Sequence, residues 1–257
     1  MIQKKTKLPL KVLLNHLKEY RDAVIILGPD IANQNIGVTE ESSSEFFNRK
    51  TMVRNPQAFW SYYVENLMKL YSYNDITTET VEALLDLKLH KQVIDTNIID
   101  ILTHTPVISP AGKNRRLECV KCKKVYNAES MYHQLKFQDT TLKCSCGGNI
   151  KPTVLCFGEK YPLNVYNSVK DAIFTEENGK VSLNTHTLIF IGVDFSDSLI
   201  SEVIDSYDAL KDANHYTVVI ADKEHRDDVV YYNPEFGVSD DIQQGVSRLI
   251  ELLNKED

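Results

Sequence analysis

Apolar and polar positions along the chain fall into two alternating patterns. Four short runs read as buried strands: residues 23–27 (AVIIL), 92–94 (QVI), 187–191 (TLIFI) and 216–221 (YTVVIA). They are rich in β-branched residues and apolar on both faces, as parallel strands covered by helices require. Helical spacing fills the stretches between them. Leu10, Leu13, Leu14 and Leu17 share one face. Asn55-Pro56 predicts a helix start, a capping residue followed by proline at the first helical position. Phe59, Tyr62, Tyr63, Leu67 and Leu70 follow at helical intervals. Ser196-Asp197 opens a run with Leu199, Ile200, Val203, Ile204 and Tyr207 on one side. Ser239-Asp240-Asp241 caps a last helix carrying Ile242, Val246, Leu249, Ile250 and Leu253. Strands alternating with helices predict a layered α/β fold around a mostly parallel sheet, with ligands beyond the carboxyl ends of its strands. Residues 40–44 and 175–184 read as exposed loops.

Residues 113–150 break this rhythm. The stretch is polar, lacks helical periodicity and holds four of the five cysteines. Cys119-x-x-Cys122 is followed after 21 residues by Cys144-x-Cys146 and then Gly147-Gly148. Two close pairs at that separation are what a zinc ribbon needs, since each pair turns both thiolates toward one metal. The second knuckle is one residue shorter than the commonest form. Four sulfur ligands would close the tetrahedron and make the site structural rather than catalytic. The alternatives are two disulfides or four unrelated thiols. Cys156, in the apolar run TVLCF, reads as a buried, inert thiol.

Composition narrows the function. The chain has 257 residues, 42% hydrophobic and 25% charged, enough for one large domain or a main domain with a small insert. Its net charge is −7, which makes nucleic acid a poor partner. Lys113, Arg115, Arg116, Lys121, Lys123 and Lys124 do form a basic cluster, read here as a solvated face of the insert without interleaved aromatics. No apolar run is long enough to predict a membrane span. The N-terminal stretch is too broken by charge for a secretory signal, so the cytoplasm is the expected compartment. Glycine is scarce, with 10 residues. That matters because nucleotide-binding α/β proteins place glycines where phosphates approach the backbone.

The segment CSCGGNIK followed by Pro152-Thr153-Val154-Leu155-Cys156-Phe157-Gly158-Glu159 resembles the sirtuins, NAD-dependent protein deacylases. Asn55-Pro56-Gln57-Ala58-Phe59-Trp60 is similar to that family's N-P-x-x-F-W helix start, and Thr96-Asn97-Ile98 to its Q-N-I-D segment. Val107-Ile108-Ser109-Pro110-Ala111-Gly112 stands where the family has V-I-E-L-H-G, and residues 190–195 (FIGVDF) resemble its V-I-G-T-S-L strand and loop. The resemblance implies a Rossmann-like parallel sheet with helices on both faces, formed by residues 1–112 and 151–257, plus a small zinc-ribbon module at 113–150. It implies cofactor contacts at Gly28, Asn97, Gly192 and Asp222. It also implies an acyl-lysine peptide lying against a strand at Phe157, Gly158 and Glu159, and zinc on Cys119, Cys122, Cys144 and Cys146.

Several positions depart from the family. Its G-A-G-I-S phosphate turn reads Gly28-Pro29-Asp30-Ile31-Ala32 here. Asp30 either caps the following helix or fills the anion site with the protein's own charge. Two like charges about 4 Å apart repel by roughly 1 to 4 kcal/mol, enough to weaken a dinucleotide by about one to three orders of magnitude. Thr39-Glu40-Glu41 stands in place of D-F-R. The family's aspartate beside the nicotinamide falls at Ile99 (or at Asp100, if the loop slips by one), and Val193-Asp194 replaces Thr-Ser. Ala111 stands where the family has its catalytic histidine, and a methyl group takes no proton. The Ser-Pro-Ala-Gly sequence also resembles the macrodomain-linked, ADP-ribosylating branch.

Two functions follow. In the first, this is a sirtuin-fold zinc protein whose substituted NAD and catalytic positions leave it inactive or non-standard, and which acts by binding a protein or peptide. Phe157-Gly158-Glu159 would then offer a strand edge, or would persist only as packing between domains. In the second, it is a divergent NAD-dependent deacylase or protein ADP-ribosyltransferase. A rearranged loop would then present His104 and Asp100, with Asn97, where Ala111 and Ile99 stand.

Overall fold

The computed structural model describes residues 10–32, 44–70, 76–102, 104–232 and 234–255. The chain begins with α1 (Leu10–Tyr20), β1 (Ala23–Leu27), α2 (Arg49–Arg54), α3 (Pro56–Tyr62), α4 (Ile76–Asp86), β2 (His90–Asp95) and β3 (Val107–Ile108). A small module follows: β4 (Arg116–Cys119), β5 (Val125–Asn127), α5 (Tyr132–Lys136) and β6 (Ile150–Pro152). Then come α6 (Leu163–Ile173), β7 (Phe174–Glu177), β8 (Lys180–Leu183), β9 (Thr187–Ile191), α7 (Ser198–Leu210), β10 (Tyr216–Asp222), α8 (Arg226–Tyr232), β11 (Phe236–Asp240) and α9 (Ile242–Asn254).

Six strands form one parallel sheet in the order β11-β10-β9-β1-β2-β3. β1 shows why its run had to be apolar on both faces. Ala23, Ile25 and Leu27 enter a cluster with Leu13, Leu17, Val81, Leu85, Val246 and Leu249, drawn from α1, α4 and α9. Val24 and Ile26 enter the opposite cluster with Val169, Ile173, Val203, Tyr207 and Val229, drawn from α6, α7 and α8. This is the Rossmann-like arrangement. Burying two such faces is the main favourable term in folding, at roughly 25 cal/mol per Å² of apolar surface.

Antiparallel β5-β4-β6 make a separate three-stranded sheet. A third apolar cluster joins Leu117, Leu135, Leu142 and Ile150 of this module to Phe47, Phe59, Trp60 and Tyr63. The helix opened by Asn55-Pro56 starts as predicted, with Asn55 Oδ1 accepting from Ala58 N at 3.2 Å. It continues through one π turn (Tyr63–Leu67) and turns its aromatic side toward the module.

The loop expected at 175–184 is a hairpin, β7 paired with β8. Asn178-Gly179 makes its turn with φ of 53° and 76°, the left-handed pair that closes two-residue hairpins. The Asn-Gly signal was present, but the flanking strands carry no apolar alternation. β11 and β3 were also not anticipated. β11 reads Phe-Gly-Val-Ser-Asp and β3 is two residues long, so neither carries an apolar run. Ser239 and Asp240 belong to β11, and Asp241 alone caps α9 by accepting from Gln244 N at 2.8 Å. The expected loop at 40–43 and Thr39-Glu40-Glu41 lie outside the described residues. Among the described residues no helix is long and apolar enough to cross a membrane.

Candidate functional site

The sheet grows from β1 toward β3 on one side and from β9 toward β11 on the other. Its order therefore reverses between β1 and β9, and the crevice beyond their carboxyl ends is where such folds hold ligands. Gly28 and Gly192 meet there. Gly28 N donates to Ile191 O at 2.9 Å, and Asp30 N donates to Gly192 O at 3.1 Å. A Cβ on Gly28 would fall inside the backbone of Gly192, so the close approach of the two loops itself requires a glycine.

Asp30 sits in a single short turn, Pro29–Ala32. Its Oδ2 lies 3.2 Å from Nε2 of His225. Burial pushes its carboxyl up to about 6. His225 works against that shift, while Asp222, Asp194 and Glu224 add to it. Asp222 ends β10 and accepts from Glu224 N at 3.0 Å, and Asp194 accepts from Ser196 N at 2.8 Å. Among the described residues, carboxylates thus converge at this crevice. His225 was missed in the sequence, and its one signal was the spacing Asp222-x-x-His225 after a predicted strand.

Asn97 is buried behind the end of β2. Its backbone N and its Nδ2 both donate to Asp95 Oδ1, at 3.0 and 2.8 Å. Its own Oδ1 is shielded and accepts no hydrogen bond. Lys113, placed by its sequence in a solvated basic face, is buried instead. Its ammonium pairs with Asp95 Oδ2 at 2.5 Å and donates to the carbonyls of Asn97 and Ile99, both at 2.9 Å. The rest of that cluster is largely paired as well: Arg115 with Glu129, Arg116 with Asp100, and Lys123 with Glu118.

Ala111 lies in a turn closed by Gly112 N donating to Ser109 O at 3.2 Å, and its carbonyl accepts from Leu155 N at 3.1 Å. Gly112 has φ of 75° and would bring a Cβ into the backbone of Thr153, so this turn is tightly held. Asp100 is engaged by Arg116 at 3.2 Å. His104 is exposed.

Phe157, Gly158 and Glu159 do not form a strand edge. Glu159 N donates to Cys156 O at 2.9 Å and Gly158 has φ of 77°, which makes this a tight turn. The Glu159 carboxylate closes it by accepting from Cys156 N at 2.9 Å, and it pairs with Arg49 and Lys151. Burial alone would raise the Glu159 pKa, but the Cys156 N–H and the two cations hold it below the usual carboxylate range. The Phe157 ring is 43% exposed and borders a 540 Å³ cavity also lined by Phe46, Asn48, Arg54 and Ala58.

The four cysteines of the module converge. Their Sγ atoms all lie within 4.8 Å of one another, with Cys119–Cys146 at 3.4 Å and Cys122–Cys144 at 3.6 Å. Each knuckle is folded by its own backbone. Lys123 N donates to Cys119 O at 3.0 Å, and Gly147 N donates to Cys144 O at 2.9 Å. Gly148 lets the knuckles close, since a Cβ there would stand 2.6 Å from Cys119 Sγ. The Cys146 N–H and the Tyr126 hydroxyl pull the Cys144 thiol down to about 5, and Cys122 N–H lowers Cys119. Tyr126, which donates to Cys144 Sγ at 3.0 Å, carried no sequence signal. This donor set suits one tetrahedral thiolate-bound metal ion.

Cys156 stands apart. It is buried, and burial pushes its thiol up to about 12. Iodoacetamide at pH 8 should therefore leave Cys156 unmodified in the native chain and label it only after denaturation. Peptide mapping checks this, and ready native labelling would show that the turn at 156–159 opens.

Against known proteins, the model of the Sir2 family matches residues 32–187. The NAD-dependent protein deacetylase of Sulfurisphaera tokodaii is 28% identical over 145 residues, which cover 54% of this chain and 55% of that protein. The NAD-dependent protein deacetylase of Thermotoga maritima is 25% identical over 166 residues, 60% of this chain and 67% of that protein. The matched stretch thus spans about half to two thirds of these relatives. The solved structure of Sir2Tm bound to a propionylated peptide superposes with a TM-score of 0.69 at 18% identity, covering 95% of this chain and 98% of that one. At that identity the superposition shows a shared overall fold. With the family model covering more than half of its length, the chain belongs to the Sir2 family.

Proposed function

We propose that this chain is a Sir2-fold protein that binds a protein or peptide and does not carry out NAD chemistry in the manner of its relatives. One observation carries the reading. Among the described residues, Asp30, Asp194, Asp222 and Glu224 act together at the reversal of strand order, with His225 beside Asp30. A doubly anionic coenzyme entering there meets like charge, each close pair opposing it by roughly 1 to 4 kcal/mol. Ala111 adds to the argument, because it has no group to take a ribose proton. Peptide binding is supported by the exposed Phe157 ring beside its cavity, and by the propionylated peptide held by a structural neighbour. The Cys119, Cys122, Cys144 and Cys146 set would hold zinc as a structural ion, drawing the knuckles together and supplying no open position for chemistry.

The second reading, a divergent NAD-dependent deacylase, is favoured by one feature. Asn97 keeps a buried, unsatisfied Oδ1 at the end of β2, where a ligand donor would be welcome. Relatives named NAD-dependent protein deacetylase point the same way.

Calorimetry with NAD separates the two. Under the first reading NAD shows no binding with Kd below ~1 mM, and no nicotinamide is released from NAD with an acyl-lysine peptide, while the peptide itself binds. Nicotinamide release at a rate that depends on the peptide would establish the second reading.

A further inference from the structure

We propose that Asp30, Asp222 and His225 form a binding site for a divalent metal ion, distinct from the four-cysteine cluster. The proposal does not depend on which reading of the function holds.

The three residues come from separate places in the chain. Asp30 follows β1, Asp222 ends β10, and His225 closes the turn Lys223–His225 just beyond it. One carboxylate oxygen from each aspartate and one imidazole nitrogen nevertheless lie within 4.8 Å of one another. Ligands at ~2.0–2.3 Å from one ion are separated by about that distance or less. The backbone holds the two aspartates in place. Asp30 N is bonded to Gly192 O at 3.1 Å, and Asp222 uses its Oδ1 to accept from Glu224 N at 3.0 Å.

Two further features separate this set from a patch of solvated acid. The first is its chemistry, because an imidazole stands among the oxygens. Mixed nitrogen and carboxylate donors are what Mn²⁺, Fe²⁺ and Zn²⁺ take, with remaining positions open to water or an incoming oxygen ligand. The second is the setting of Asp30. Its Oδ2 is shielded from solvent and makes no hydrogen bond, only an ion-pair contact with His225 Nε2 at 3.2 Å. Asp194, Asp222 and Glu224 add negative charge around it. A divalent ion would engage both aspartates at once. The site also stands at the reversal of strand order, the place at which this class of sheet presents its ligands.

The test uses the full chain with its cysteine site loaded with zinc, and Mn²⁺ alone as the probe, since thiolates hold Mn²⁺ poorly. Loss of the free Mn²⁺ electron paramagnetic resonance signal during titration reads occupancy. The expected result is about one bound equivalent with Kd of order 10–100 µM, the range of moderately charged oxygen-rich sites. Asp222→Asn and His225→Gln are each expected to weaken it at least tenfold while zinc content and the melting curve stay as in the wild type. Glutamine keeps a polar side chain at the partly exposed His225, so His225→Gln keeps the test valid if Asp222→Asn folds poorly. Absence of Mn²⁺ binding at 1 mM would overturn the proposal, as would binding unchanged in His225→Gln. Neither result depends on NAD, so this proposal and the functional reading can fail separately.

Discussion

Cys119→Ser should strip the metal from the module and unfold it. The four sulfurs stand within 4.8 Å of one another, and the Cys119 and Cys144 thiols are already biased toward thiolate. Without a cation that crowding is repulsive, and with one it becomes the bond that holds the knuckles together. The module has little else. Its apolar side chains are few, and its three strands hold four, three and three residues. In isolated zinc-finger peptides metal binding supplies about 10–16 kcal/mol, as much as the stability of a whole domain. The damage should also spread, because Phe59, Trp60 and Tyr63 pack on the module rather than on the main sheet. Zinc content should fall from about one equivalent to near zero, and the melting temperature should drop by at least ~10 °C. A strong chelator should do the same to the wild type, whereas Cys156→Ala should leave zinc content unchanged. A Cys119→Ser chain that retained the wild-type melting curve would refute a structural metal.

What the sequence made legible was whatever is written locally. β1, β9 and β10 were readable because a strand buried on both faces needs an unbroken apolar run. The cysteine pairs were readable because metal ligation demands short spacing within each knuckle. α3 was readable from Asn55-Pro56, a cap and a helix-compatible φ in adjacent residues. What stayed hidden depends on partners distant in sequence. Lys113 looks like its basic neighbours, and only folding brings it 2.5 Å from Asp95. His225 is one histidine after a strand, and only the sheet order sets it beside Asp30. β11 has no apolar run because part of its burial comes from α8 and α9. The Glu159 turn misled for a related reason. Its family resemblance suggested a strand, but Gly158 in the left-handed region and the carboxylate bonded back to Cys156 N make a closed turn. The candidate site was therefore legible as a set of substitutions toward negative charge, while the pairing of Asp30 with His225 was not, because only the fold brings the two together.

Lys113→Met should destabilise the chain by about 3–5 kcal/mol, the usual result of removing one partner from a buried ion pair. Both side chains are buried, at 3% and 1% exposure, so Asp95 would be left with no water to replace its partner. The loss is more than one contact. The ammonium uses all three of its protons, on Asp95 Oδ2 and on the carbonyls of Asn97 and Ile99, so it ties residues 95–99 to the start of the module. A loss of that size should lower the melting temperature by roughly 6–20 °C in a chain of this length. Truncation alone does not show what the pair itself contributes, because the cost is mostly the stranded charge. The decisive variant is Asp95→Asn combined with Lys113→Met. Replacing both members of a buried pair is often close to neutral, so the double variant should recover more than half of the stability lost in the single one. Urea unfolding of the wild type, both single variants and the double variant gives the coupling directly. If the two losses simply add, then Asp95 and Lys113 act independently, and each holds Asn97 through its own hydrogen bonds.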